Sequence, residues 1–122
     1  SHETGKLIII PTPLGNLGDV TTRTLQAFEA CDTMCCEDTR VTGKLLAALG
    51  IEKRLERLDE ATVSKRACEI VGRVLDGEVI GFASDAGMPG VSDPGQRLID
   101  EARNQGAAVE VLPGGTAVAT AY

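Results

Sequence analysis

Short β-branched runs alternate with stretches of helical period along the whole chain, and this regularity is what most limits the folds open to it. Leu7, Ile8, Ile9 and Ile10 follow Lys6 in a run whose continuous apolar character predicts a strand at residues 6–10 buried on both faces. A helix is expected over residues 20–31, with Leu25 and Phe28 on one face and Asp19 placed to cap it. A second strand is read at 33–36. The helix after it carries Val41, Leu45 and Leu49 at a spacing of four and stops at Gly50. A short strand near 55–58 leads to a third helix, in which Val63, Ala67, Ile70, Val71, Val74 and Leu75 keep helical spacing up to Asp76-Gly77. A fourth strand follows at 78–83. Asp93 then reads as an N-cap and Pro94 as the first residue of a helix ending near Gly106. The fifth strand is expected at 108–112, and Pro113-Gly114-Gly115-Thr116 opens one more helix, inside which the sequence stops at Tyr122. Such a succession predicts an α/β fold: an open, mostly parallel five-stranded sheet with helices on both faces and right-handed crossovers. There is no internal repeat, linker or low-complexity stretch.

Composition narrows the class. With two Phe, one Tyr and no Trp in 122 residues, the core has to be built from Val, Ile, Leu and Ala, which suits a parallel sheet covered by helices. Twelve Lys and Arg stand against 18 Asp and Glu, a net charge of −6, so the chain as a whole is a poor stand-alone partner for phosphate backbones. Cys31, Cys35, Cys36 and Cys68 lack the paired spacing of a zinc site or a disulfide framework and read as buried reduced thiols. No leader, long apolar span or polybasic tail is present, which points to the cytoplasm. The single histidine, His2, lies in an end segment (residues 1–6) read as a leftover or disordered stretch outside the domain at 7–122, which makes histidine catalysis in this domain improbable.

Ligands of open α/β sheets bind at the carboxyl ends of the strands. Three segments expected there are rich in Gly and Pro: residues 11–19, 84–95 and 113–116. Glycine lets backbone come close to a ligand, and proline holds an irregular loop in shape. Twelve irregular residues at 84–95 are more than a turn between buried elements requires. No G-x-G-x-x-G follows the first strand, and Gly43-Lys44 lacks the upstream glycine of a P-loop, so dinucleotide and nucleoside-triphosphate sites are disfavoured. From residue chemistry alone, the chain is an α/β domain for a small ligand.

Three segments carry a further resemblance. Pro13-Leu14-Gly15-Asn16-Leu17-Gly18-Asp19, then Glu37-Asp38-Thr39-Arg40, then Ser84-Asp85-Ala86-Gly87-Met88-Pro89-Gly90-Val91-Ser92-Asp93-Pro94-Gly95 resemble, in the right order, the signatures of the ribosomal RNA small-subunit methyltransferase I family, within the tetrapyrrole methylase superfamily. The similarity runs from about residue 7 to 122. It implies the N-terminal domain of a two-domain, homodimeric enzyme that moves a methyl group from S-adenosylmethionine to a ribose 2′-hydroxyl of small-subunit ribosomal RNA. The cofactor would lie in a cleft shared with a second domain, and no metal would be needed. Members usually show Pro-Gly-Pro-Ser where this chain has Pro113-Gly114-Gly115-Thr116, which keeps the hydroxyl and exchanges a rigid residue for Gly115.

Carried over motif by motif, the resemblance implies cofactor contacts at Leu14, at Asp85, Ala86, Gly87 and Met88, and at Thr116 and Ala117. Asn16 and Arg40 are the implied substrate contacts. A sulfonium with a ribose and an amino-acid tail calls for backbone groups, a carboxylate and apolar walls. Methyl transfer is an in-line displacement on an activated donor, so positioning supplies much of the catalysis. Glu37 and Asp38 are the candidate bases for the ribose hydroxyl, and Arg40 has the planar fork that suits a phosphate. The competing reading has Asp38 or Thr39 capping the helix and Arg40 on a solvated face. A methyltransferase of the same superfamily acting on a tetrapyrrole or a protein, or a non-catalytic dimerisation module, are the alternatives. The methylated nucleotide is not legible in these residues.

Overall fold

The computed structural model describes residues 5–12, 22–85 and 94–112, Thr12 and Asp85 by their backbone. Nine elements alternate: β1 (Lys6–Thr12), α1 (Thr22–Ala30), β2 (Thr33–Cys36), α2 (Thr39–Ala48), β3 (Arg54–Arg57), α3 (Glu60–Leu75), β4 (Ile80–Asp85), α4 (Gly95–Gln105) and β5 (Ala108–Val111). The five strands form one sheet in the order β3-β2-β4-β1-β5, with every pairing parallel. The helix expected to open at Thr116 and the Asp19 cap fall outside the described residues.

Period-two alternation in β1 divides the core between the two faces of the sheet. Leu7 and Ile9 pack with Val63, Ile70, Val71 and Val74 of α3 and with Leu98, Ile99 and Ala102 of α4. Ile8 and Ile10 pack on the other face with Ala27 and Phe28 of α1 and Leu46 of α2. Helices therefore cover both faces, as the two-sided apolar run of β1 requires. Gly81, in the central strand, has no side chain because there is no room for one. A Cβ there would lie 2.6 Å from Cys31 Sγ and 2.7 Å from Met34 Sδ.

Several boundaries differ from expectation. β1 begins at Lys6 as expected but runs two residues beyond residue 10, to Thr12. β4 is displaced two residues toward its carboxyl end, because Ser84 and Asp85 continue the ladder opposite Pro11 and Thr12. Their polar side chains had made them read as loop. Pro94 occupies the N-cap of α4, without a side-chain cap, and the helix starts at Gly95. α2 is rotated from the expected face. Val41 is 61% exposed, Leu45 and Leu49 are half-buried, and Thr42 and Leu46 are buried instead. Thr42 is a polar residue in the buried row, a position that an apolar count passes over. In α3, five of the six expected apolar positions are buried and Leu75 is 41% exposed. Cys31, Cys35 and Cys36 are buried free thiols, whereas Cys68 is exposed on α3.

Arg73 of α3 ties three strands together near the amino edge of the sheet. It donates to Glu78, just before β4, from Nε at 3.1 Å and Nη2 at 2.8 Å, and to Glu56 of β3 from Nη1 at 3.1 Å. Arg66 donates to the same Glu56 at 2.7 Å, and Thr33 of β2 donates its hydroxyl to Glu78 at 2.8 Å.

Candidate functional site at the carboxyl edge of the sheet

Because every strand is parallel, the carboxyl ends share one edge. β1 and β4 end side by side, with Pro11 opposite Ser84 and Thr12 opposite Asp85. β2 flanks β4 on its other side, in the register Cys35 opposite Phe82. The chain leaves these strands in opposite directions. From β1 and β2 it passes to α1 and α2 on one face, while from β4 it passes to α4 on the other. In open α/β sheets, ligands usually sit at the carboxyl ends of neighbouring strands whose connections pass to opposite faces. β1 and β4 both run up to this edge, and beside them the Leu112 N–H bonds to the Ile9 carbonyl at 3.0 Å.

Of the implied cofactor contacts, Asp85 is the last residue of β4, at the carboxyl edge of the sheet. Leu14, Asn16, Ala86, Gly87, Met88, Thr116 and Ala117 lie outside the described residues. Thr12 went unnoticed in the sequence because the first loop was taken to begin at Pro11. Only the strand pairing sets it beside Asp85.

The Glu37-Asp38-Thr39-Arg40 segment turns from β2 into α2 at the same edge, and its three charged residues are exposed. Asp38 is the N-cap of α2: its backbone is extended, and its carboxylate accepts the Arg40 N–H at 3.0 Å. That backbone bond, with the nearby Arg40 guanidinium, holds the Asp38 carboxyl below its ordinary range. Arg40 Nε lies 3.5 Å from Asp38 Oδ1, and its side chain is 88% exposed. The structural half of the two readings of this motif is therefore present: Asp38 caps and Arg40 is solvated. The guanidinium also stands at the ligand edge.

The buried thiols are not nucleophiles. Burial pushes Cys31 and Cys35 up to about 12 and raises Cys36 as well, so each is protonated at neutral pH. A groove of about 860 Å³ between α3 and α4 is lined by Ser64, Arg97, Asp100, Glu101, Arg103 and Asn104 among others. None of these residues belongs to a strand end, and acids balance bases. No helix among the described residues is long and apolar enough to cross a membrane.

Comparison with known proteins agrees with this architecture. Over 94% of its length the chain is 44% identical to a Vibrio cholerae protein named ribosomal RNA small subunit methyltransferase I, spanning 40% of that protein. Proteins of the same name from Neisseria meningitidis and Thermotoga maritima are 43% and 42% identical over 96% of the chain, which spans 40% and 53% of them. The chain thus covers about half the length of these relatives or less. Among solved structures, uroporphyrin-III-C-methyltransferase from Thermus thermophilus superposes with a TM-score of 0.63 at 21% identity, covering 90% of this chain and 47% of that one, a likeness of fold. Residues 6–122 match the family described as Tetrapyrrole (Corrin/Porphyrin) Methylases, and the chain belongs to that family.

Proposed function

We propose that this chain is the N-terminal domain, residues 7–122, of a two-domain enzyme that methylates a ribose 2′-hydroxyl in small-subunit ribosomal RNA. The observation that carries the reading is the identity, over nearly the whole chain, with relatives named for that ribosomal RNA activity. The enzyme works in the cytoplasm as a homodimer. The carboxyl edge fits S-adenosylmethionine, since the central strand β4 ends there in a carboxylate residue, Asp85, and leads to a helix on one face while its neighbours β1 and β2 lead to helices on the other. When bound, that group supplies an electrophilic methyl carbon.

Asp85, Ala86, Gly87 and Met88 hold the cofactor after β4, Leu14 holds it from the first loop, and Thr116 and Ala117 hold it at the last helix start. Asn16 and Arg40 hold the RNA, Arg40 by pairing with a phosphate beside the target ribose. A carboxylate at this edge takes the hydroxyl proton as the oxygen attacks. Of the two candidates, Glu37 is preferred, because Asp38 is committed to its helix cap. The test is transfer of labelled methyl from S-adenosylmethionine to small-subunit ribosomal RNA by the full-length protein. The expected product resists alkaline cleavage at one site, since the 2′-oxygen that would attack the phosphate is blocked. Label on a base, on protein or on a tetrapyrrole, or none at all, would overturn the proposal.

A further inference from the structure

The charge of this chain is unevenly spread. From Arg40 to Arg73 lie 8 of the 12 Lys and Arg but only 5 of the 18 Asp and Glu, so that segment is net positive within a chain of net charge −6. The segment runs from α2 through β3 to α3, and β3 forms one border of the sheet. Glu56, the acid most enclosed there at 14% exposure, is already engaged by Arg66 at 2.7 Å and Arg73 at 3.1 Å. Arg54 reaches the same carboxylate only at 3.7 Å and is 75% exposed. Arg57 lies 3.3 Å from Asp59 and is 72% exposed. The border therefore carries more cations than its acids neutralise, and the surplus sits on solvent-facing guanidiniums.

The border also has a direction. Arg54 and Arg57 are spaced about 10 Å apart along β3 and flank this border strand from opposite faces of the sheet. Arg57 is in register with Cys36 of β2, and the Leu58 N–H bonds to the Cys36 carbonyl at 2.8 Å. The residues after Cys36 are Glu37, Asp38, Thr39 and Arg40, so the exposed arginines lead from the free edge of the sheet to its carboxyl edge.

We infer that the β3 border, through Arg54 and Arg57, is a track for the RNA phosphate backbone that leads the strand to the carboxyl edge. The inference rests on the ribosomal RNA reading above and extends it to a surface away from the end of β4. Guanidiniums pair with phosphates without reading base identity, so this track aligns the RNA and leaves the choice of nucleotide to other contacts.

The experiment measures binding of a labelled oligouridylate to the full-length protein by fluorescence anisotropy across a salt series. Arg54→Gln/Arg57→Gln is compared with Arg97→Gln/Arg103→Gln, which removes the same charge from α4. Loss of two phosphate contacts reduces the salt slope of log affinity by about 1.4, at roughly 0.7 per contact on a single strand. That loss in the β3 pair, with the α4 pair near wild type and melting temperatures unchanged, is the expected result. Equal losses in both pairs, no loss in either, or binding of an acidic peptide in place of RNA would overturn the track. Titration of S-adenosylmethionine into the same proteins separates the two proposals. Failure to bind the cofactor, with the RNA contrast intact, strikes the methyltransferase reading alone. Normal cofactor binding without the RNA contrast strikes the track alone.

Discussion

Asp85 closes β4 at the point where the chain leaves the sheet, and two roles for such a residue make opposite predictions. As a cofactor contact it loses a charge-assisted hydrogen bond on substitution, worth about 1.5–3 kcal/mol, or one to two decades of affinity. Asp85→Ala in the full-length enzyme is therefore expected to abolish methyl transfer and weaken S-adenosylmethionine binding by that factor with the melting temperature unchanged. A depressed melting temperature with normal affinity would make Asp85 structural. Glu37 and Asp38 separate in a similar way. Asn caps a helix as well as Asp does, so Asp38→Asn keeps α2 intact while removing a base. Single-turnover rates are expected to fall about 10²-fold in Glu37→Gln and to stay near wild type in Asp38→Asn. The reverse order would give the proton to Asp38. Gly81 is a packing position: Gly81→Ala drives a methyl group against Cys31 and Met34 and should cost about 1–3 kcal/mol in urea unfolding. What the sequence made legible for Asp85 was its place at the carboxyl end of a strand, because it follows a buried run. The capping role of Asp38 stayed level with a catalytic one, since a carboxylate before a helix serves either use until its oxygen is seen on the Arg40 N–H.

Among the elements, strands and helices were found in the right order because period and length separate them well. Their edges were less legible. The apolar run locates β4, but only its partner β1 reveals that Ser84 and Asp85 still belong to the ladder. For α2, a spacing of four in Val41, Leu45 and Leu49 named the row beside the buried one, because Thr42 is buried there beside Leu46. The cysteines show the same dependence on orientation: three face the sheet interior and Cys68 faces solvent from α3. A disulfide reagent at neutral pH should therefore label one thiol of the described region rapidly. The other three should react only as fast as the domain opens, and Cys68→Ser should remove the fast phase.

Across the whole molecule, Arg73 is the junction through which α3 holds β3 and the approach to β4. Hydrogen bonds from Arg73 are the main cause that holds the carboxyls of Glu56 and Glu78 below their ordinary value of 4.5. A depressed carboxylate contributes stability that is complete above its ordinary value and is lost as pH falls through the depressed one. Urea unfolding should show stability dropping as pH descends below 4.5, and Arg73→Leu should flatten that drop while costing about 1–3 kcal/mol near neutrality. An unchanged acid profile would dismiss the junction. The proposed cleft is shared with a second domain, so calorimetry should find far weaker S-adenosylmethionine binding to this chain alone than to the full-length protein. Equal affinity would sink the two-domain site. The strand order, finally, bears on how the chain comes off the ribosome. β4 sits between β1 and β2 and hydrogen-bonds to both, yet it is the fourth strand to be synthesised. Until residue 85 has emerged, the first two strands have no shared partner, and both present unpaired backbone to whatever passes. A released chain ending at Gly77 should thus be more protease-sensitive than one that extends through Asp85, in which β4 can pair with both β1 and β2.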